Sequence, residues 1–593
     1  MSDNNNAKTT DIIQYSFRQL IRDIFQLLKP YRSRFVIASF IRLVGDVVYL
    51  YPAFALASVV TFLTHYRSGD SLYTVWVILA LWALAVFIRS CSQFFSKYIG
   101  YRVSEKVAID SMLQATQHLF LLDIAWHERE NSGNKIKRIQ NAVDGLNTIL
   151  RIWFNSIIEI AVNLIAINII IANFDHTVLA VLLVFLFTYF FISGMMRRRA
   201  SAASYAVNAQ EEQVNGLLFE IINNIRTVKV MAMGGVLYSR LAAAAAELFN
   251  RLKRRIFWYQ SRASFLSFWA NGFRVGIIAM IAWGIFNGHY EVGFLILFNS
   301  YFSDLRESID ELSTASVDFA TAKLSIARMK LMLDEPVRID DDRGKVALSP
   351  RWQTIALRHV SFAYGENQVL SDISFTMRRG EKVGIVGLSG AGKSTLFKLL
   401  LKEREEFHGD ILFDNLSIKK IRRSDYFKKV SVVLQDTEVF NFSLHDNITV
   451  TNTTRQTNQA LLKRALDTAH MNDLVKKLPQ GLDTVIGEKG VKLSGGERQR
   501  LGIARAIFKE PEILLLDEAT SHLDLESEEK IRDSLHAFFE HVTAIVIAHR
   551  LTTIREMDTI LVIEEGTLVE SGTFAELYAA RGRFYELWEK QKL

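Results

Sequence analysis

The chain is 593 residues long, half of them hydrophobic and 22% charged, which excludes both a single ordinary domain and a disordered chain. With 6 Pro and 31 Gly it is no collagen-like or low-complexity polymer, and its 1 Cys, Cys91, excludes an intrachain disulfide, an Fe–S cluster or a Cys-rich zinc site. A net charge of +7 suits either nucleic acid or an anionic membrane surface, and the location of Lys and Arg decides between them.

Residues 1–10 are polar and lack the charged, apolar and small-residue regions of a signal peptide, so no removal is expected. Residues 1–32 read as a cytoplasmic N-terminal segment with no room for a processing peptidase. Apolar stretches near the length of a bilayer crossing follow at about 35–63, 72–99, 149–172, 178–195, 257–286 and 292–301. They predict an all-α six-helix transmembrane domain over 33–330. The last stretch offers only ~10 apolar residues before Asp304 and continues as a more polar helix.

The connections alternate in size: 65–71, 173–177 and 287–291 are short, whereas 100–148 and 197–255 are long and rich in helix formers. The long ones carry Arg102, Lys106, Arg197, Arg198, Arg199 and many more cations; the short ones carry only Arg67. The positive-inside rule therefore places both termini and both long loops in the cytoplasm, and the basic balance marks topology rather than nucleic acid. With long polar helices on one side only, the spans are expected to run past the bilayer into that compartment.

Ionisable groups at bilayer depth are costly, so Arg42, Asp46, Arg89, Glu159, Arg274, Asp304 and Glu307 must face protein, water or cargo. Arg42 and Asp46, four apart on one helix, can pair. Asp304, Glu307 and Glu311 share one helix face, which is either a cavity lining or the solvated cytoplasmic end of the sixth helix. The signs balance, so no simple anionic or cationic cargo follows.

An acidic linker over 331–349, Leu333-Asp-Glu-Pro-Val-Arg-Ile-Asp-Asp-Asp342, leads to short apolar segments at 382–386, 430–434, 513–516, 544–547 and 560–563. These read as buried strands of an α/β domain over 350–593. The fold class is thus multidomain, an all-α membrane domain followed by an α/β domain.

Gly387-Leu-Ser-Gly-Ala-Gly-Lys-Ser394 fits G-x-x-x-x-G-K-[ST] between a predicted strand and a predicted helix, the context that makes it a phosphate loop. Gly387, Gly390 and Gly392 let backbone N–H groups curl around phosphate, and the helix start adds its positive dipole end. Lys393 would reach the outer phosphates and Ser394 would ligate Mg²⁺, with Ser389, Ala391 and Thr395 completing the binding stretch. Ile513-Leu-Leu-Leu-Asp517-Glu518 is an apolar strand ending in two carboxylates, Asp517 for Mg²⁺ and Glu518 to polarise a water for in-line attack. In Leu493-Ser-Gly-Gly-Glu497, Ser494 and Glu497 form a capping box, which leaves Gly495 and Gly496 unexplained. Bare glycines at a helix start suit close approach of an anion.

In this order the motifs resemble the ATP-binding cassette (ABC) superfamily, and the chain is similar to an exporter-type half-transporter. Gly387 to Ser394 looks like Walker A, Ile513 to Glu518 like Walker B and Leu493 to Glu497 like the signature. Gln435 looks like the Q-loop, Ser521-His-Leu-Asp524 like the D-loop and His549 like the switch histidine. Tyr364 resembles the aromatic that stacks on adenine, although by itself it reads as a strand core residue, and 484–490 resembles the segment that senses the membrane loops. His522 departs from the Ala usual in the D-loop. Leu122-Asp-Ile-Ala-Trp-His-Glu128 and Glu220-Ile-Ile-Asn-Asn-Ile-Arg-Thr-Val-Lys229 resemble the turning points of exporter loops that form coupling helices.

The resemblance implies ATP and Mg²⁺ as ligands, with Glu518, His549 and Gln435 catalytic, and Ser394, Gln435 and Asp517 around the metal. It also implies a dimer in which Ser494, Gly495 and Gly496, with Asp524, complete the partner's site. The second half-transporter is expected to be an identical chain. Expected partners are membrane lipids and an amphipathic cargo, with lipid, drug, peptide and siderophore all open. The expected localisation is the inner or plasma membrane. A heterodimer and an ATP-gated channel or regulator without cargo are the alternatives; a nucleic-acid-remodelling ATPase is excluded by the apolar spans.

Overall fold

The computed structural model describes residues 15–129, 132–339, 342–487, 490–517, 538–539, 542–547 and 554–592. The chain divides into two compact units: Met1–Ala115 with Ile136–Leu333, and Thr116–Lys135 with Asp334–Leu593. Along the chain the helices of the first part are α1 (Phe17–Leu28), α2 (Arg32–Val48), α3 (Tyr51–His65), α4 (Tyr73–Leu121) and α5 (Ile124–Arg129). They continue as α6 (Ser132–Ile152), α7 (Ile158–Phe174), α8 (His176–Asn223), α9 (Ile225–Val230), α10 (Gly234–Phe286) and α11 (Val292–Leu333). The short helices α5 and α9 stand at the two turning points that the loop residues suggested.

Among the described residues five helices are long and apolar enough to cross a membrane: Phe17–His65, Tyr73–Leu121, Lys135–Phe174, His176–Asn223 and Gly234–Phe286. The 49 residues of α4 make a rod of roughly 70 Å at ~1.5 Å per residue, more than twice a bilayer core, as the one-sided polar loops led us to expect. Side chains such as Leu84, Phe87, Ile165, Phe187 and Phe191 stay exposed on these helices, which suits a lipid solvent. The expected sixth span is a continuous helix, α11, yet it is not among the five. Asp304, Arg306, Glu307, Asp310 and Glu311 cut its apolar run short. Instead its N-terminal half is core: Leu297, Phe298, Tyr301, Phe302 and Leu305 pack with Leu182, Phe185 and Ile277.

Local chemistry sets the helix ends. Pro52 occupies the first turn of α3, where its missing N–H costs nothing. Asp175 caps α8 by accepting from the Thr177 and Val178 amides at 2.6 and 3.0 Å, and the Tyr290 hydroxyl donates to its other oxygen at 2.5 Å. That bond stitches together two of the short connections.

Four of the ionisable residues of the spans, Arg42, Asp46, Arg89 and Glu159, form one cluster. Arg42 pairs with Asp46 at 2.9 Å, as the spacing suggested, and also with Glu159 at 2.5 Å. Arg89 pairs with the same two carboxylates, Asp46 and Glu159, the latter at 2.9 Å. Two cations and two anions from three spans thus neutralise one another. Arg274 instead donates to the Asn299 carboxamide at 2.9 Å, and Ser156 donates to Glu311.

The described strands of the second unit are β1 (Thr354–Tyr364), β2 (Asn367–Arg378), β3 (Lys382–Val386), β4 (His408–Phe413), β5 (Leu416–Ser417), β6 (Val430–Val433), β7 (Ile513–Asp517), β8 (Thr543–Ile547), β9 (Thr559–Glu564) and β10 (Thr567–Gly572), of which six form one sheet in the order β10-β9-β3-β8-β7-β6. The remaining strands form an antiparallel sheet ordered β2-β1-β4-β5. All five predicted strands fall in the six-stranded sheet, and β9, β3, β8, β7 and β6 run parallel. Alternate residues explain their continuous apolar runs: Ile513, Leu515 and Ile545 enter one core, whereas Leu514, Leu516 and Val546 enter the other. Both faces of the sheet are covered, as parallel sheets require. The first core also takes Ile355 and Phe413 of the antiparallel sheet and Leu396 of α12 (Lys393–Leu400); the second takes Leu501 and Ile507 of α13 (Gly495–Phe508).

Candidate active site

Parallel strands gather their carboxyl ends along one edge, which is where open α/β sheets bind ligands. Val433 pairs in register with Leu516, Asp517 with Ile547, and Ile385 also with Ile547. Gln435 just beyond β6, Asp517 at the end of β7 and Gly387 just beyond β3 therefore line the same edge. The end of β8 lies between the last two, and His549 follows it two residues on, outside the described residues. Glu518, His522 and Asp524 also lie outside them.

The phosphate loop is shaped by close packing. A Cβ on Gly387 would overlap the Ile563 carbonyl, and one on Gly392, at φ +102°, would press the Leu370 side chain at 2.8 Å. Gly390 takes φ +84° and faces open space, with Leu388 and Ser389 exposed beside it. Ala391, Lys393 and Thr395 are buried, whereas Ser394 is exposed at the start of α12. The Lys393 ammonium donates to the Gly387 and Leu388 carbonyls at 2.8 and 2.9 Å and so closes the loop on itself. A glycine-rich turn with one ammonium at a helix start is an arrangement chemically suited to an anion.

The fit to a hard divalent cation rests on the donor set. A hydroxyl (Ser394), a carboxamide (Gln435) and a carboxylate (Asp517) are all oxygen ligands, and all three stand at this edge.

At the signature, the capping box forms. The Glu497 amide donates to the Ser494 hydroxyl at 3.3 Å, and the Ser494 amide donates to the Glu497 carboxylate at 2.7 Å. Ser494 is exposed, Gly495 and Gly496 open the helix, and among the described residues no hydrogen bond joins Ser494 to the phosphate loop. Tyr364 ends β1 at a hairpin tip and is 39% exposed. It is an available aromatic surface, not the strand core residue that its sequence position alone suggested.

Sequence reading missed the brace behind Gln435. Arg505 of α13 donates to the Asn447 carbonyl, the Asn447 side-chain oxygen and the Glu438 carbonyl, each at 2.6 Å. Burial lowers the Arg505 pKa, and these oxygens replace its lost water. The segment that follows Gln435 is thereby tied to the signature helix. Of this contact the sequence carries only an Arg on the helix and a distant Asn.

Residues 35–309 match the family model described as ABC transporter transmembrane region, and residues 370–521 match that described as ABC transporter. A protein of Staphylococcus aureus named as a multidrug export ATP-binding/permease protein is 30% identical, covering 97% of this chain and 100% of its own. The chain belongs to the ABC transporter family. The β-(1→2)glucan export ATP-binding/permease protein of Bartonella quintana is 29% identical over 82% of each chain. A solved bacterial Atm1-family ABC exporter with ATP bound shares 28% identity at a TM-score of 0.85, covering 95% of this chain and 98% of that one. This ABC transporter is an integral membrane protein of the cell membrane. It is an ATP hydrolase of the exporter type, carrying one helical transmembrane region and one P-loop ATPase domain in a single chain.

Proposed function

We propose that the chain is a homodimeric half-transporter that exports or flips an amphipathic substrate by alternating access, with six spans and with both termini and the ATPase domain in the cytoplasm. The observation that carries this reading is the shared edge of Gly387, Gln435 and Asp517 in a chain that presents Ser494 outward on a separate helix. Residues 33–330 serve as the transmembrane domain, 331–349 as the linker and 350–593 as the ATPase domain. Lys393 and the amides of 387–395 hold the outer phosphates of ATP, and Tyr364 stacks on adenine. Ser394, Gln435 and Asp517 would hold Mg²⁺, which when bound neutralises charge on the phosphates. Glu518 accepts the proton of the attacking water, and His549 orients the transferred group. Ser494, Gly495, Gly496 and Asp524 complete the site of the partner. The named cargoes of the relatives, a polar glucan and drugs, differ in chemistry and so do not select the substrate of this chain; a screen of ATPase stimulation in lipid nanodiscs, followed by vesicle uptake of the hits, would identify it.

Lys393 makes charge-assisted contacts, so Lys393→Ala is expected to weaken ATP binding by about ten- to hundredfold while the protein still reaches the membrane. Equal ATP titrations for the variant and wild type in nanodiscs would remove Lys393 from the site.

One chain carries Lys393, Gln435, Ser494, Glu518 and His549 together, so two equivalent sites in a two-fold homodimer need no other subunit. A tagged Lys393→Ala chain co-expressed with a differently tagged Ser494→Arg chain tests this. In the mixed dimer one site bears both defects and the other neither, so ATPase activity should return although each variant alone is inactive. An active wild-type monomer, or activity only beside a different half-transporter, would overturn the homodimer. ATPase activity without substrate uptake into vesicles by any cargo tested would instead favour a channel or regulator.

A further inference from the structure

The second unit contains, besides the ATPase domain, the turn of the first long loop, Thr116–Lys135. Asp123 of this turn accepts from the Ile339 amide at 3.1 Å. Glu128 forms an ion pair with Arg404, and its other oxygen lies 3.7 Å from the Lys398 ammonium. Lys398 belongs to α12, the helix that Lys393 opens. Arg404 in turn lays its guanidinium over the Tyr364 ring, 5.7 Å from the centroid. Its side chain is only 18% exposed, at a cleft of about 120 Å³ lined by Leu122, Asp123, Trp126, Ile339 and Glu403. Burial raises the Glu403 carboxyl above the usual carboxylate range, which marks this patch as poorly hydrated.

One loop carboxylate is thus tied on one side to the phosphate-loop helix and on the other, through a single arginine, to the exposed aromatic. A guanidinium over an aromatic face is attracted to it and fixes its orientation. We infer that Arg404 is a positioning residue of the nucleotide site: it holds Tyr364 in place for adenine and, through Glu128, makes that placement depend on the first cytoplasmic loop. This rests on the reading of Tyr364 as the adenine-stacking aromatic. By linkage, whatever moves the loop changes ATP affinity, and ATP binding biases the loop by the same factor.

The test uses the full chain in lipid nanodiscs and measures KM for ATP and kcat for Tyr364→Ala, Arg404→Met, Glu128→Gln and the pair Tyr364→Ala/Arg404→Met. Arg404→Met should raise KM by about three- to tenfold with kcat changed less than twofold. Glu128→Gln keeps the side-chain shape on a half-exposed loop residue and should raise KM in the same direction by about twofold, the size expected for loss of one partly exposed ion pair. In the Tyr364→Ala background the Arg404 change should add nothing, because the ring it acts through is gone. If Tyr364→Ala raises KM but Arg404→Met and Glu128→Gln keep the wild-type value, the relay is overturned and the adenine assignment stands. If Tyr364→Ala leaves KM unchanged, the adenine assignment falls and the relay with it. An Arg404 effect that persists undiminished without Tyr364 overturns the route through the ring.

Discussion

Glu518→Gln is expected to lower ATP turnover by ~10² or more, the range lost when a general base is removed, while ATP still binds. The expectation follows from β7. This strand ends at Asp517, in register with the last residue of β8, at the edge where the phosphate loop also emerges. The next residue in the sequence is a second carboxylate, Glu518, and one acid for the metal plus one for the water is the pair that in-line phosphoryl transfer needs. Gln preserves size and hydrogen bonding but cannot take a proton. The measurement is steady-state ATPase activity of purified protein beside an ATP titration. More than half the wild-type turnover would dismiss Glu518 as the base, and loss of binding as well would point to a structural defect instead.

The second large effect concerns stability. Asp46→Asn leaves Glu159 as the one carboxylate within ion-pair distance of Arg42 and Arg89 among the described residues. Arg42 and Asp46 are each 1% exposed, and Arg89 lies over the Tyr49 ring at 4.5 Å, so neither guanidinium has ready access to water. Removing one partner from a buried ion cluster costs about 3–5 kcal/mol, because the unmatched charge remains buried. The amide is nearly isosteric with the carboxylate, so packing is preserved and charge is the variable. Thermal unfolding followed by tryptophan fluorescence in nanodiscs should show a clearly lowered midpoint. Asp304→Asn is the comparison: among the described residues Asp304 makes no hydrogen bond or ion pair and acts on Arg89 only at longer range, so its substitution should shift the midpoint far less. Equal shifts for the two variants would show that the cluster does not hold the spans together.

The phosphate loop, the five strands and the capping box at Ser494 were legible in the sequence because each depends on a contiguous run. Backbone freedom at Gly390 and Gly392, the cap from Ser494 to Glu497 and the apolar filling of β7 and β8 are all settled within a few residues of chain. The pairing of Arg42 with Asp46 was legible for the same reason, being one helical turn. Its extension to Arg89 and Glu159 was not: it joins residues 43 and 117 positions apart, and nothing local distinguishes a partner at that distance from any other carboxylate or arginine. The sixth helix shows the same limit from the other side. A polar run after Tyr301 reads as the helix leaving the bilayer, yet burial of Leu297, Phe298 and Tyr301 comes from neighbouring helices that a hydropathy window does not see. Tyr364 lies on a strand by pattern but is exposed because its strand ends there, and Arg404 meets it only because β1 and the chain after α12 are brought together by a shared core. Motif chemistry is written in adjacent residues. The partners that hold charged side chains in low-dielectric surroundings are chosen by packing, since only the folded chain decides which groups lose their water together.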